Sequence, residues 1–459
     1  MFIVIALLSG CSSPTPALQP TQPGEQSALP ADEAGDIFMA AQAFVDQLAS
    51  GDFAAATSRF DPTMKAAAPE AKLKEIWNQL LGQVGAYQKQ LGIHTDTQQG
   101  YRRVFVTSQF EQAVIDVLVV FDAQGQISGL FFQPGQAPDA TPQTYNPPGY
   151  VKEGAFHELE VTVGNGKWAL PGSLALPYGE GPFPALVLVH GSGPNDRDET
   201  IGPNKPFRDL AWGMASQGIA VLRYDKRTKV HASQFTPEIQ AELTVQEETI
   251  QDALLAVRIL RETERIDPQR IFVAGHSLGA YLAPRIGQQD PYLAGLIILS
   301  GPTRPLEDLV LDQVTYLSNL DGMLTDKEKA DLATLQAQVD RVKAPDLSDQ
   351  VASTDLPLGI PPAYWLDLRG YQPAEVAQTL DMPLLVMQGG RDYQVVAEKD
   401  FAGWQVALEG RANATLKLYP ELNHLLIAGA GPSTPQEYNV AGHVSEDLLN
   451  DIGAWVMKN

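Results

Sequence analysis

RIFVAGHSLGA, residues 270–280, is the stretch that decides the fold of this chain. It begins as a short apolar run, typical of a buried strand, and ends in the pattern G-x-S-x-G followed by residues that favour a helix. So sharp a turn between strand and helix requires small residues on both sides of the serine, and Gly275 and Gly279 meet that requirement. The pattern predicts that Ser277 is exposed as a nucleophile; the alternative is an ordinary glycine-rich turn.

From residue 150 to residue 459, strand-like and helix-like segments alternate, which predicts α/β architecture with a largely parallel sheet. Ser277 follows the fifth of about eight expected strands. These strands are expected near 157–163, 168–176, 184–190, 219–224, 270–275, 294–300, 383–388 and 414–419. This is the strand order of the α/β-hydrolase fold.

Two helices of this region have clear sequence signals. The segment 245–263 has a capping box in Thr244 and Glu247, and the last helix follows near the end of the chain. Their buried faces are expected to carry Ile250, Leu254 and Val257 in the first helix and Leu448, Ile452 and Trp455 in the last.

An insertion of about 80 residues, at about 303–380, separates the sixth strand from the seventh and is long for a simple connection. It has helical patterns and an aromatic, proline-bearing stretch at residues 360–365. We expect a helical cap over the active site. The alternative is an extra packing element beside the sheet.

A serine hydroxyl needs a base to activate it, and the base needs a carboxylate to orient it. In this fold the chain order is serine, acid, histidine. His424 and His443 are the histidines after Ser277. His424 follows the eighth strand and is the predicted base, whereas His443 precedes the last helix and is expected at a helix start or on the surface.

The predicted acid is Asp392, which follows a strand and a glycine turn at the carboxyl end of the seventh strand. Asp381 precedes that strand, at the wrong edge of the sheet, and Asp400 falls in the next helix. The alternative is that Asp392 is a surface turn residue.

The oxyanion of the reaction requires N–H donors. We expect one from the backbone of Leu278 and the other from Ser192 in the loop His190–Pro194, with Gly193 as the alternative. His190 is expected to fix this loop rather than to act as a second base. The charged stretch 223–227 is expected to be an ion-paired loop, or else to position the cap or the substrate.

Residues 35–133 have a different pattern, with helical segments first and strand-like runs afterwards. Helices are predicted at about 35–50 and 70–83, and strands at 102–110, 113–121 and 127–132. The pattern resembles the nuclear-transport-factor-like cone domains found ahead of some bacterial hydrolases. We expect a small α+β domain with a structural or dimerising role, or else a role toward the substrate.

The first residues resemble a bacterial lipoprotein signal. Residues 2–8 form a short apolar run, and Leu-Ser-Gly-Cys follows, so Cys11 is expected to receive a lipid. No lysine or arginine precedes the run, which is a departure from such signals. The alternatives are a plain secretory signal or an incidental apolar start. Proline-rich residues 12–34 are expected to form a tether, and residues 134–149 a linker.

The whole-chain composition excludes some partners. With 459 residues, two folded units are expected, and the net charge of −23 leaves no basic patch for nucleic acid. Membrane contact is expected only through a lipid on Cys11, which predicts an extracytoplasmic, cell-envelope or secreted protein. The acidity itself is explained by solubility. The oligomeric state is left open.

The motifs of residues 150–459 together resemble bacterial α/β-hydrolase serine esterases of the EstD type, in the dienelactone-hydrolase-like superfamily. The resemblance rests on HGSGP at 190–194, RYDKR at 223–227, GHSLG at 275–279, GRD at 390–392 and NH at 423–424. It implies a triad of Ser277, Asp392 and His424, without metal or cofactor, that hydrolyses small esters of short to medium acyl chains. A peptidase or thioesterase of the same fold is the alternative, and an inactive binding protein is a further one.

Overall fold

The structure is a computed structural model that describes residues 31–98, 101–111, 113–122, 124–135 and 145–459. The described residues form two compact units. One lies within the first four ranges and the other runs from Tyr145 to Asn459.

The first unit has helices followed by an antiparallel sheet, whose described strands pair in the order β1-β2-β3-β4. Its helices are Ala31–Ser50 (α1), Phe53–Ser58 (α2), Pro62–Ala67 (α3) and Glu70–Val84 (α4). Its strands are Tyr87–Gln98 (β1), Tyr101–Phe110 (β2), Val114–Phe121 (β3) and Ile127–Pro134 (β4). The small α+β architecture is as predicted.

The core of the first unit lies between α1, α4 and the sheet. Phe44, Val45 and Leu48 of α1 are fully buried, and Trp77 of α4 packs 5.7 Å from Phe110, measured between ring centroids. The sequence did not predict β1, α2 or α3. The strand β1 was missed because it pairs with β2 alone in this sheet and is mostly polar, so it has no apolar alternation.

The second unit has an eight-stranded sheet in the order β12-β11-β10-β9-β7-β8-β6-β5. Strands β7 to β12 pair in parallel, while β5 and β6 join one side antiparallel. The strands are Phe156–Val163 (β5), Leu170–Pro177 (β6), Phe183–Val189 (β7), Ala220–Tyr224 (β8), Ile266–His276 (β9), Gly295–Leu299 (β10), Leu384–Gly389 (β11) and Ala414–Tyr419 (β12). The fold class is confirmed.

Helices cover both faces of this sheet, and each face has its own apolar core. The strands β7, β8 and β10 are almost continuously buried because they are covered on both sides. The helices are Pro206–Ala215 (α5), Arg227–Val230 (α6), Pro237–Ala241 (α7), Gln251–Glu262 (α8), Leu278–Gln289 (α9), Leu306–Ser318 (α10), Asp326–Lys343 (α11), Pro362–Leu368 (α12), Pro373–Gln378 (α13), Asp400–Ala407 (α14) and Glu446–Lys458 (α15).

The start of the helix predicted from residue 245 differs from expectation. Gln246–Ile250 form a π-helical segment, and α8 continues from Gln251. The Glu247 carboxylate accepts the backbone N–H of Thr244, but the Thr244 hydroxyl accepts from Gln246 rather than from the Glu247 N–H. The capping box is therefore formed only in part.

The insertion between β10 and β11 has two parts. Its first part, α10 and α11, contacts the loop after β11: the Tyr316 ring stacks on Tyr393 at 5.0 Å, and Gln313 Nε2 donates to the Gln394 carbonyl at 3.1 Å. Its second part packs beside α9, where the Tyr371 hydroxyl donates to the Tyr281 carbonyl at 2.7 Å. The first part therefore lies at the sheet edge where a cap was expected, and the second packs as an ordinary crossover.

The predicted lipid attachment at Cys11 and most of the tether and linker residues lie outside the described residues. Within the described ranges, no helix is long and apolar enough to cross a membrane.

Candidate active site

Ser277 sits at a strained turn between β9 and α9. Its backbone has φ 54° and ψ −115°, a region that L-residues rarely adopt. A Cβ on Gly275 would lie 2.3 Å from the Gly279 carbonyl carbon, and a Cβ on Gly279 would lie 2.2 Å from the Val189 carbonyl oxygen. Only glycine therefore fits on either side of the serine. The half-buried Ser277 is presented at the carboxyl edge of the sheet, as the sequence predicted.

Asp392 follows β11 at the same edge and is buried. Its Oδ1 accepts the backbone N–H groups of Gln394, at 2.8 Å, and Val395, at 3.0 Å. Its Oδ2 accepts from Gln388 Nε2 at 3.0 Å and from a His424 nitrogen at 2.8 Å. Four donors on one carboxylate fix its orientation.

His424 follows β12 and is buried beside Asp392. The nitrogen that contacts the Asp392 carboxylate is Nδ1, so Nδ1 carries the proton and Nε2 is left as a base. Burial lowers the pKa of His424 below its ordinary value, and Asp392 offsets this only in part. The imidazole is therefore neutral at neutral pH, as a general base must be.

The His424 loop is joined to the serine turn through His276. His276 Nε2 lies 2.8 Å from the His424 carbonyl, and the two rings are 4.7 Å apart between centroids. This contact places His424 next to the residue that precedes Ser277. In the described structure Ser277 Oγ itself makes no hydrogen bond to His424.

Sequence reasoning missed the buried ion pair between Glu199 and His276. The Glu199 Oε2 and His276 Nδ1 atoms are 2.9 Å apart, and both residues are buried. Burial opposes a charge on His276, but the Glu199 carboxylate outweighs it and raises the pKa of His276 above its ordinary value. Burial likewise opposes a charge on Glu199, and His276 lowers the pKa of Glu199 overall. No sequence signal marks Glu199, which stands in a polar loop like a solvated residue.

Leu278 directly follows Ser277, and the loop that contains Ser192 approaches the serine at Gly191. Leu278 is the first residue of α9, so its N–H has no partner within the helix. A Cβ on Gly191 would lie 3.1 Å from Ser277 Cβ, which places the loop His190–Pro194 directly against the serine. Among the described residues, the Ser192 N–H has no acceptor and remains available.

The other candidate residues, His190, His443 and Asp400, have structural partners. His190 Nε2 lies 3.0 Å from the Asp196 carbonyl, and burial lowers the pKa of His190 to about 4, so it fixes its loop as expected. His443 pairs with Asp209 at 3.2 Å. The buried Asp400 pairs with Arg304 at 2.8 Å, away from His424.

The stretch 223–227 is ion-paired, which is one of the two interpretations that the sequence left open. Its charged residues pair as follows: Arg223 with Asp198 at 3.0 Å, Asp225 with Arg197 at 3.0 Å, Lys226 with Glu248 at 2.8 Å and Arg227 with Asp252 at 2.6 Å.

Comparison with known proteins follows the same division of the chain. The family described as "Serine aminopeptidase, S33" matches residues 185–429, and a family described as a protein of unknown function matches residues 41–130. The chain is 42% identical to esterase EstD of Thermotoga maritima over 415 residues, which cover 90% of this chain and 94% of that protein.

Two further proteins are more distant. Esterase FrsA of Klebsiella pneumoniae subsp. pneumoniae is 29% identical over 149 residues, 32% of each chain. A solved structure of an esterase from Pyrococcus furiosus aligns with a TM-score of 0.42 and 16% identity, over 66% of this chain and 91% of that one.

Proposed function

The chain belongs to the serine aminopeptidase S33 family and, within it, is a carboxylesterase of the EstD type; we propose that Ser277, His424 and Asp392 carry out its reaction. The observation that carries this proposal is the hydrogen bond of 2.8 Å between His424 Nδ1 and Asp392, beside the strained turn of Ser277. The substrate is a small carboxylic ester.

In the first half of the reaction, His424 Nε2 takes the proton of the Ser277 hydroxyl as Oγ attacks the ester carbonyl. Hydrogen bonds of this kind often tighten only when substrate is bound. The N–H groups of Leu278 and Ser192 stabilise the oxyanion, and the N-terminus of α9 adds favourable potential. His424 then returns the proton to the leaving alcohol, which leaves an acyl group on Ser277.

In the second half, His424 Nε2 takes a proton from water, and the resulting hydroxide attacks the acyl group. The oxyanion forms in the same place and is stabilised by the same donors. Collapse releases the carboxylic acid and returns the proton from His424 to Ser277 Oγ. Asp392 orients His424 and stabilises the imidazolium that forms in each half.

The test compares wild type with Ser277→Ala on p-nitrophenyl acetate, on a long-chain p-nitrophenyl ester and on an aminoacyl anilide. We expect ester turnover by wild type, a loss of at least about 10³-fold in Ser277→Ala, and covalent labelling of wild type alone by a fluorophosphonate. Ser58→Ala, an exposed serine of the first unit, is the matched control.

Other results would contradict the proposal. Turnover of the anilide alone would identify a peptidase, and faster turnover of an acyl thioester than of the matched oxygen ester would identify a thioesterase. Ester turnover that survives Ser277→Ala would remove Ser277 from the reaction. A series of acyl chain lengths tests our proposal of short to medium chains, which rests on the likeness to the EstD-type enzymes.

We also propose that Cys11 is lipidated and that the protein is held outside the cytoplasm. The apolar residues 2–8 and the sequence Leu-Ser-Gly-Cys support this. The test is metabolic labelling with an alkynyl fatty acid in a bacterial host. Labelled wild type in the membrane fraction and unlabelled Cys11→Ser would support the proposal, whereas equal labelling or a soluble, unlabelled wild type would contradict it.

A further inference from the structure

The loop His190–Pro194 is called the oxyanion loop below. Within it, the backbone N–H and the carbonyl of Gly191 are both held by buried charged side chains. The Gly191 N–H donates to Glu199 Oε1 at 2.6 Å, and the Gly191 carbonyl accepts from Lys226 Nζ at 2.9 Å and, at the longer distance of 3.2 Å, from the neutral amide of Asn195. Glu199 and Lys226 are each only 2% exposed. Charged hydrogen bonds in a site shielded from water are stronger than neutral ones, so together they fix the conformation of Gly191.

The orientation of Gly191 determines where the next N–H points. In a trans peptide the carbonyl of one residue and the N–H of the next lie on opposite sides of the bond. Because the Gly191 carbonyl points to Lys226, the Ser192 N–H points away from Lys226. If this peptide turned over, the carbonyl would replace the N–H donor, and the oxyanion would meet a negative dipole.

Lys226 is itself held by residues far away in the sequence. Its ammonium lies 2.8 Å from Glu248 Oε1, and the Tyr364 hydroxyl donates to Glu248 Oε2 at 2.7 Å. All three side chains are buried. Glu248 lies in the π-helical segment Gln246–Ile250, and such segments are frequent at functional sites. Tyr364 belongs to α12 of the insertion.

We infer that Lys226 is a positioning residue for the oxyanion hole, which holds the Gly191 carbonyl so that the Ser192 N–H faces the reacting ester. Glu248 and Tyr364 hold Lys226 in place and link the insertion to the oxyanion loop. The inference rests on the proposed function, because it needs Ser192 as an oxyanion donor. It gives the buried charge of Lys226 a role beyond an internal ion pair, namely the orientation of the peptide between Gly191 and Ser192.

The neighbouring pair of Arg227 and Asp252 provides a matched control. It is buried to a similar degree, with 7% and 1% of the two residues exposed, and Arg227 also comes from the stretch 223–227. The hydrogen bonds of the Arg227 guanidinium run to Asp252 and not to Gly191. Loss of this pair therefore measures the cost of removing a buried ion pair without moving the oxyanion loop.

The experiment compares Lys226→Met/Glu248→Gln with Arg227→Met/Asp252→Asn, so that neither double variant leaves a buried charge unpaired. We measure kcat and KM for p-nitrophenyl acetate, the inhibition constant of an alkylboronic acid, and thermal unfolding. The boronic acid forms a tetrahedral adduct with Ser277 and probes the oxyanion hole without turnover.

We expect kcat of Lys226→Met/Glu248→Gln to fall by about 10- to 10³-fold, with KM within about threefold of wild type. The boronic acid should bind more weakly by a similar factor. The Arg227/Asp252 control should keep kcat within about threefold of wild type. An unchanged kcat, or an equal fall in both double variants, would overturn the inference. If Lys226→Met/Glu248→Gln does not fold, Tyr364→Phe, which removes only the hydrogen bond to Glu248, should lower kcat and boronate affinity together; no change in either would overturn it.

A failure of the proposed function can be distinguished from a failure of the inference about Lys226. It would appear as ester turnover that survives in Ser277→Ala, or as boronate binding to wild type and Ser277→Ala alike. A positioning role for Lys226 leaves both of those results as expected.

Discussion

At the scale of single residues, the roles proposed for His424 and Asp392 predict the pH dependence of the reaction. His424 must be neutral to take the serine proton, and burial lowers its pKa below the ordinary histidine value. We therefore expect kcat/KM to fall as the pH drops through a midpoint below about 6.5 and to stay level just above it.

The measurement is a profile of kcat/KM from about pH 4.5 to about pH 9. Asp392→Asn should lower kcat by about 10⁴-fold, since the amide favours the wrong tautomer of His424. A midpoint above the ordinary histidine value, or an Asp392→Asn variant with nearly wild-type kcat, would contradict this prediction.

The buried pair of Glu199 and His276 affects stability in a defined pH window. The pKa of Glu199 is lowered in the fold, so its contribution is present above about pH 4.3 and lost as the pH falls through the folded value. The pKa of His276 is raised, so its contribution is present below about pH 6.5 and lost as the pH rises through the folded value.

We therefore expect Glu199→Gln to cost about 3–5 kcal/mol of unfolding free energy near pH 5.5, and less toward pH 9. Urea unfolding at both pH values measures this. Glu180→Gln, at an exposed glutamate, should change stability by less than about 0.5 kcal/mol at either pH. A cost for Glu199→Gln that grows with pH would contradict the assignment of charges.

Sequence reasoning predicted the candidate catalytic residues and missed the buried residues that contact and support them. Ser277 directly follows β9, and Asp392 and His424 lie in the loops after β11 and β12, in a chain order that the fold prescribes. Glu199 and Gln388 have no such signal. Their roles come from burial and from contacts between loops, and the sequence around them is that of an ordinary polar loop or strand end.

At the scale of elements, close approach of α9 to β7 sets the position of the serine turn. A Cβ on Gly279 would lie 2.2 Å from the Val189 carbonyl oxygen and 2.7 Å from the His190 carbonyl oxygen. Backbone atoms cannot move aside as a flexible side chain can. We expect Gly279→Ala to destabilise the protein by at least about 1–3 kcal/mol and to displace α9 from the sheet.

Thermal unfolding and ester turnover measure this change together. Gly154→Ala is the control, because no atom lies within 4 Å of the added Cβ and φ is not positive. Wild-type stability and turnover in Gly279→Ala would show that the turn tolerates a wider separation than the structure indicates.

The central strands of the second unit, such as β7, β8 and β10, could be predicted because each is a short apolar run bounded by turn residues. The π-helical segment could not be predicted. Its hydrogen bonds span one residue more than those of an α-helix, and the segment is too short to produce a periodicity in the sequence. The strand β1 was also hidden, because at the edge of its sheet it has one partner and a polar sequence. Pairing, rather than composition, makes it a strand.

At the scale of the whole molecule, the two units have separate apolar cores, and the proposed catalytic residues all belong to the second. Phe44 is fully buried in the core of the first unit, 5.9 Å from Phe60 between ring centroids. Phe44→Ala should destabilise the first unit by about 3–5 kcal/mol. We expect kcat and KM for p-nitrophenyl acetate to remain near wild type.

Hydrogen exchange within residues 31–135, together with ester kinetics, measures both effects. Leu174→Ala, in the core of the second unit, is the matched control and should affect stability and kinetics together. A change in KM for Phe44→Ala would assign the first unit a role toward the substrate, which the sequence left as an alternative.

The left-handed backbone at position 277 has a consequence for what directed evolution of this protein can achieve. A non-glycine residue in such a conformation costs about 1–3 kcal/mol, so Ser277→Gly should melt at a higher temperature than wild type while losing its chemistry. Calorimetry on Ser277→Gly and Ser277→Ala separates two effects. Both variants lose the hydroxyl, but only glycine lacks the Cβ that makes this backbone conformation strained. A screen that selects only for thermal stability would therefore enrich catalytically inactive variants at this position.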